Sequence, residues 1–196
     1  MASVRPMKVP GRWREGYALD YQTLSSTYIG DNEYGHPEFD TKRSEIGELL
    51  YRLKYRSEGT VVPEIVEAAA NFLTTWNPGV DVVVPAPASR TRAVQPVIVL
   101  SESLAKRMGI AFSPDWVRKT REIPELKNVY DYHERIRLLA GAYNVDKARA
   151  EGHRVLLFDD LYRSGATLNA ITESLYDQGV VSEVFTLTIT RTRSNR

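Results

Sequence analysis

The chain has no cysteine in its 196 residues. That absence excludes disulfides, thiol nucleophiles and thiolate zinc sites from its chemistry. Histidine is scarce as well. Only His36, His133 and His153 occur, and no two stand at metal-ligand spacing. A transition-metal centre built from these side chains is therefore not expected. No segment approaches the ~20 apolar residues that a membrane span requires. Residues 1–22 hold no apolar run of signal-peptide length, so a soluble, cytoplasmic protein is expected. An excess of one charge sign is also missing. Lys and Arg total 26 and Asp and Glu total 25, a formal net charge of +1, so no global field draws the chain to nucleic acid or to a membrane surface.

What is present is an ordinary globular composition, 42% hydrophobic and 26% charged, in a chain long enough for one domain with a sizeable core. Residues 1–42 are rich in Gly, Pro, Tyr and Asp and show no sustained period. Tyr17, Tyr21, Tyr28 and Tyr34 mark this stretch as an N-terminal arm packing on the domain formed by residues 43–196. From Ser44 the pattern becomes helical, with Ile46, Leu49, Leu50 and Leu53 at i, i+3, i+4 and i+7. A second helix is predicted for VPEIVEAAANFLTTW, with Pro63 in its first turn and Asn77-Pro78-Gly79 as its stop. A buried strand follows in VDVVVPAP (80–87). A helix is then predicted from Val94 to Met108, with Gly109 as a left-handed cap. Residues 110–118 read as weakly strand-like, 119–127 as a charged loop, 128–140 as a helix and 142–145 as a short strand. Next come a buried strand at 153–160, a helix in TLNAITESLYDQG, and a final strand in which Phe185, Leu187 and Ile189 alternate with threonines. Strands separated by helices imply parallel pairing and right-handed crossovers, hence an α/β class. In such sheets ligands bind beyond the carboxyl ends of the strands.

The segment VLLFDDLYRSGAT (155–167) carries the clearest chemistry. Four apolar residues deliver Asp159 and Asp160 to the end of a strand. A loop with Ser164, Gly165 and Thr167 then opens directly into a helix. Glycine permits close backbone approach, and the first helical N–H groups have no partners inside the helix. With the helix dipole they suit a phosphate, to which Ser164 and Thr167 add hydroxyl donors. The two carboxylates would repel that phosphate, so they are expected to take a neutral, donor-rich part of the same ligand, as vicinal ribose hydroxyls are. His133 and Glu134 could serve as acid–base groups but read first as surface-helix positions, Lys54 and Arg56 could line the site or a partner surface but read first as a solvated helix face, Arg135 reads as a brace for the sheet, and Trp13, Trp76 and Trp116 read as core or arm anchors.

The segment resembles the ribose-phosphate signature of type I phosphoribosyltransferases, two acidic residues, two variable ones and then T-T-G-x-T, with Arg163 standing where that pattern has threonine. LLYRLKYRSEG (49–59), VVVPAPASRTRAVQPVIVLSESLAKRMGI (82–110) and RKTREIPELKNVYDYHERIRLLAGAYNV (118–145) are similar to stretches of the ComF-type, competence-associated members. The resemblance spans about residues 46–192. It implies a twisted, mostly parallel sheet flanked by helices, and a site for 5-phosphoribosyl 1-diphosphate. It also implies a role for each matched residue. Asp159 and Asp160 would hold the ribose hydroxyls, and Arg163, Ser164, Gly165, Ala166 and Thr167 the 5-phosphate. Ala88, Ser89 and Arg90 would face the pyrophosphate, while Lys119 and Arg121 would lie in a loop closing over the reactive centre. Mg2+ would come with the ligand, bridging pyrophosphate and ribose hydroxyls, with Asp159 and Asp160 within its reach. The R-G-F-N-Q run usual in the pyrophosphate loop is missing, echoed only by Arg92 and Gln95. The resemblance implies two alternatives, an enzyme transferring phosphoribose to a base or amine with release of pyrophosphate, and a non-catalytic sensor regulating a DNA-processing partner. It also leaves room for a homodimer.

Overall fold

The computed structural model describes residues 2–88, 95–122, 129 and 131–193. A six-stranded sheet forms its centre, with spatial order β1-β2-β10-β9-β5-β6. The strands are β1 (Met7–Lys8), β2 (Glu15–Tyr21), β5 (Val82–Pro85), β6 (Ala111–Phe112), β9 (Arg154–Tyr162) and β10 (Glu183–Arg191). Only the β1–β2 pair is antiparallel, and the other four pairs are parallel. The fold is therefore α/β with a mostly parallel sheet, as expected.

Helices cover both faces. On one lie α1 (Glu45–Arg56), α2 (Val62–Trp76) and α3 (Pro96–Met108), whose Leu50, Leu53, Ile65, Leu100 and Leu104 pack on Leu156, Phe158, Leu187 and Ile189. The other holds α6 (Ala166–Asp177), with Leu168, Ile171 and Leu175 against Val84, Val155 and Leu157. Burial on both faces is why Val82–Val84 and Val155–Phe158 are unbroken apolar runs rather than alternating ones. The expected helical signals are in place. Ser44 accepts a hydrogen bond from Gly47 N–H at the start of α1, and Gly109 closes α3 at φ 69°. Val94, placed in the α3 helix by the sequence, lies outside the described residues.

The structure differs from the sequence pattern in three places. Residues 1–42 contain two strands of the central sheet and a separate hairpin, β3 (Thr23–Asp31) with β4 (Pro37–Arg43). Strand β2 pairs along β10 from Glu15↔Phe185 to Tyr21↔Arg191, which puts β10 inside the sheet and buries Thr186, Thr188 and Thr190 completely. These contacts join residues far apart in sequence, so no local period announces them. Tyr17 packs on Phe72 and Trp76, whereas Tyr28 and Tyr34 of the hairpin are exposed. Second, residues 110–118 split into β6 and β7 (Val117–Lys119). Strand β7 pairs antiparallel with β8 (Tyr143–Val145) in a small sheet of its own. Third, the helix expected at 128–140 is described as α4 (Tyr132–Leu139), capped by Asp131. A short helix, α5 (Lys147–Ala150), leads into β9. Among the described residues no helix is long and apolar enough to cross a membrane.

Candidate functional site

The chain runs outward from β5 through α3 to β6, then returns to lay β9 against the other side of β5. The helices after β5 and after β9 sit on opposite faces of the sheet. The carboxyl ends of β5 and β9 are thus a topological switch point, the place where open α/β sheets bind their ligands. The 155–167 segment runs through that point, from β9 into α6.

Pairing of β5 with β9 stops at Pro85↔Phe158, and Ala86 N–H makes one further bond to Phe158 O at 2.8 Å. Strand β9 continues four residues further, still paired to β10 as far as Tyr162↔Arg191. Asp159 and Asp160 therefore lie within one ladder and beyond the end of the other. This sharpens the sequence reading, in which the strand ended at the carboxylates. The pleat sends the two side chains to opposite faces. Asp160 meets Lys54 of α1, with Nζ 2.7 Å from Oδ2 and both side chains largely buried. Asp159 lies on the other face, where its charge helps push the buried Tyr143 hydroxyl above its ordinary pKa, burial there being the larger cause. Asp159 Oδ1 accepts the Asp160 N–H at 2.8 Å. Its own pKa is pushed up to about 7, chiefly because burial disfavours the charged form and secondly because Asp160 is beside it.

The loop after β9 turns at Gly165, whose φ of 74° is the left-handed region that favours glycine. A Cβ there would meet the Tyr162 ring at 2.9 Å. Tyr162 is fixed in turn by its hydroxyl, which donates to Pro10 O at 3.0 Å. Gly165 caps α6 without a side-chain hydrogen bond, so the first N–H groups of the helix receive no side chain from their own cap. Ser164 is held from outside the loop. The buried Arg135 of α4 donates from Nη1 to Ser164 Oγ at 2.9 Å and from Nε to Val129 O at 2.6 Å. Ala166 is buried, Thr167 half-buried and Arg163 exposed.

Of the remaining expected residues, Ala88, Lys119 and Arg121 are described. Lys119 ends β7 and donates from Nζ to Ala88 O at 2.6 Å, with its pKa lowered by burial. It is thereby tied to the loop after β5. Ser89, Arg90 and Arg92 of that loop lie outside the described residues, and so do Ile123–Lys127 of the expected closing loop. Arg121 turns to α4, donating to Leu138 O at 3.0 Å and Ala140 O at 3.3 Å. The His133 side chain is also outside the described residues, and Glu134 is exposed. Two residues whose first reading from the sequence was a solvated face or a brace, Lys54 and Arg135, contact the acidic pair and the loop. Their signal was weak but present. Lys54 directly follows the core residue Leu53, and a position flanking an apolar stripe is where a long cationic side chain reaches a buried partner.

The acidic pair does not fit a metal cage formed by the protein. One Asp160 oxygen is engaged by an ammonium, and the two carboxylates leave opposite faces of the strand. Among the described residues no cluster of three or more metal-ligating side chains occurs. Mg2+ favours near-octahedral oxygen coordination and retains waters and phosphate oxygens. Such an ion would fit here only as part of a phosphorylated ligand.

No family model matches the sequence, and no curated protein matches it. Among solved structures, the chain resembles adenine phosphoribosyltransferase from Leishmania tarentolae at 10% identity, covering 95% of this chain and 94% of that one, with a TM-score of 0.48. It resembles adenine phosphoribosyltransferase from Saccharomyces cerevisiae, complexed with an imino-altritol bisphosphate and adenine, at 16% identity over 85% of each chain, with a TM-score of 0.47. A third likeness is to hypoxanthine phosphoribosyltransferase from Staphylococcus aureus, at 19% identity over 69% of this chain and 68% of that one, with a TM-score of 0.41.

Proposed function

We propose that the switch point at the carboxyl ends of β5 and β9 binds 5-phosphoribosyl 1-diphosphate, and that the protein transfers its phosphoribosyl group to a base or amine. One observation carries the reading. A helix opening on a left-handed glycine with no side-chain cap lies just past two acidic residues at the sheet's switch point. One end of this unit suits an anion and the other suits hydroxyl donors, with the spacing of a single strand-to-helix turn between them.

In this reading the N-terminal N–H groups of α6 and the Ser164 and Thr167 hydroxyls take the 5-phosphate. A favourable helix terminus supplies about 0.3–1 kcal/mol to an exposed anion and up to ~2 when partly buried. The ribose lies over the edge of β9 beyond the end of β5, with Asp159 and Asp160 accepting from its hydroxyls on either side. Lys54 keeps Asp160 oriented. Lys119, beside Ala88, turns a cation toward the loop where the diphosphate would leave. The bond from ribose C1 to the diphosphate oxygen breaks, a bond from C1 to the acceptor nitrogen forms, and the acceptor loses a proton. Magnesium would come with the diphosphate and would help neutralise its charge, and Asp159 and Asp160, on opposite faces of β9, would not cage it between them.

Pyrophosphate release, measured with the donor, Mg2+ and a panel of bases, tests this. Release with at least one base is expected. Donor binding without release on any base would replace transfer by sensing, in which occupancy of the same site regulates a DNA-processing partner. An Asp159→Asn, Asp160→Asn double variant that stays folded and binds the donor at wild-type affinity would refute the ribose assignment.

A further inference from the structure

The loop between β1 and β2, residues 9–14, packs on the α6 side of the sheet, where Val9 and Trp13 are buried together with Ala166, Leu168 and Ile171. Trp13 gives the loop its shape. Its indole N–H donates to Val9 O at 3.0 Å, and a Cβ on either Gly11 or Gly16 would run into its ring. Glycine stands at both positions because the indole lies against their backbone.

This loop grips the turn between β9 and α6 at both of its ends. Before the turn, the Tyr162 hydroxyl donates to Pro10 O at 3.0 Å, and its ring meets Trp13 edge to face at 6.3 Å. After the turn, Asn169 Oδ1 accepts the Arg12 N–H at 2.7 Å, and the Arg12 guanidinium pairs with Glu173 one helical turn further on. Pro10 O and Arg12 N–H, two residues apart, thus hold residues 163–168 from either side.

The stretch so held contains the Ser164 and Thr167 hydroxyls and the left-handed Gly165, at φ 74°. An added Cβ on Gly165 would stand 2.9 Å from the Tyr162 ring, so a shift of that ring is felt directly by the turn. Tyr162 is buried, and Arg191 of β10 approaches its ring centre to 5.7 Å. The bonds from Tyr162 and to Asn169 cross 152 and 157 positions of sequence. The ribose-phosphate pattern that this segment resembles leaves position 162 variable and stops before 169. These contacts therefore belong to this chain's own arm and not to the pattern.

We infer that the β1–β2 loop clamps the 5-phosphate turn, with Tyr162 and Asn169 as positioning residues. Docking of residues 10–12 sets the separation between the end of β9 and the first turn of α6, and a phosphate held in the turn tightens that docking in return. The inference rests on the phosphoribosyl reading for the identity of the anion. The coupling is reciprocal, because whatever factor the docked loop adds to phosphate affinity, bound phosphate adds to docking. Loss of one such hydrogen bond changes affinity roughly two- to ten-fold. A loop that only braced the fold would stabilise the free and the bound protein alike and produce neither effect.

Calorimetry with ribose 5-phosphate and hydrogen exchange of residues 9–14, both on the full chain, test it. Saturating ribose 5-phosphate should slow exchange of the wild-type loop. Tyr162→Phe keeps the ring and removes the hydroxyl that bonds Pro10 O, and Asn169→Ala removes the acceptor for the Arg12 N–H. Each should bind ribose 5-phosphate roughly two- to ten-fold more weakly, with the loop's response to ligand reduced and circular dichroism unchanged. Wild-type affinity in both variants overturns the inference, and so does weaker binding with the loop's response intact, the mark of a simple brace. Wild-type exchange that ignores bound ligand does the same. In each of these outcomes the phosphoribosyl reading stands, because the ligand still binds. A wild-type chain that binds no ribose 5-phosphate sinks that reading and this inference together.

Discussion

Replacing Asp159 with asparagine should stabilise the ligand-free protein at about pH 8 and change it little at about pH 4. Asp159 has its pKa pushed from an ordinary 3.8 up to about 7, because burial and the neighbouring Asp160 both oppose its charge. A carboxyl displaced upward is neutral in both states at low pH. As pH rises past the ordinary value, the unfolded chain releases the proton first, so native stability falls, and the loss is complete once the folded group has also ionised above about 7. The distance between those two values corresponds to roughly 4 kcal/mol. Asparagine has no such charge to bury. For a chain of this length that gap corresponds to a melting temperature higher by the order of 10 °C at the alkaline end. Thermal unfolding of both proteins, followed by circular dichroism from about pH 4 to 8.5, measures it directly. The variant's advantage should grow through that range and level off above about pH 7.5. A constant difference, or a variant less stable at alkaline pH, would refute the account of a buried, charge-frustrated carboxyl. The same variant should lose affinity for ribose 5-phosphate above pH 7, which would mark Asp159 as a residue that trades stability for binding.

Removing the ammonium by Lys54→Met leaves Asp160 buried and unpaired, which should cost about 3–5 kcal/mol of stability in urea unfolding. Adding Asp160→Asn should return most of that loss, and a double-mutant cycle showing no coupling would reject the pair. Gly165→Ala forces a Cβ into the Tyr162 ring at a left-handed φ, a destabilisation of roughly 1–3 kcal/mol. Because Tyr162 underlies the loop, phosphate affinity should fall with it, and an unchanged melting temperature would contradict the geometry. Arg135→Lys loses the fork that holds both Ser164 Oγ and Val129 O. It should weaken inorganic phosphate binding several-fold in calorimetry while leaving far-ultraviolet circular dichroism unchanged. Wild-type affinity would show that the arginine only braces α4.

The sequence by itself determined α1, α2, β5, α3, β9 and α6, because β5 and the first half of β9, buried on both faces, are apolar runs, and a helix packed on one face repeats its apolar residues near every 3.6 positions. It also marked the strand, acidic pair, glycine and helix of 155–167, since that chemistry is contiguous in the chain. Tertiary structure alone decided the rest. Residues 15–21 became a strand because β10 offered an open edge to pair with, a contact between segments more than 150 residues apart that leaves no local pattern. Lys54 became the partner of Asp160 only when α1 was laid across the sheet. The burial that raises the pKa of Asp159, and the opposite facing of the two carboxylates, follow from where β5 stops and β9 goes on. Local period and motif are properties of neighbours along the chain, whereas pairing partners, counter-ions and local dielectric are set by elements that meet only after folding.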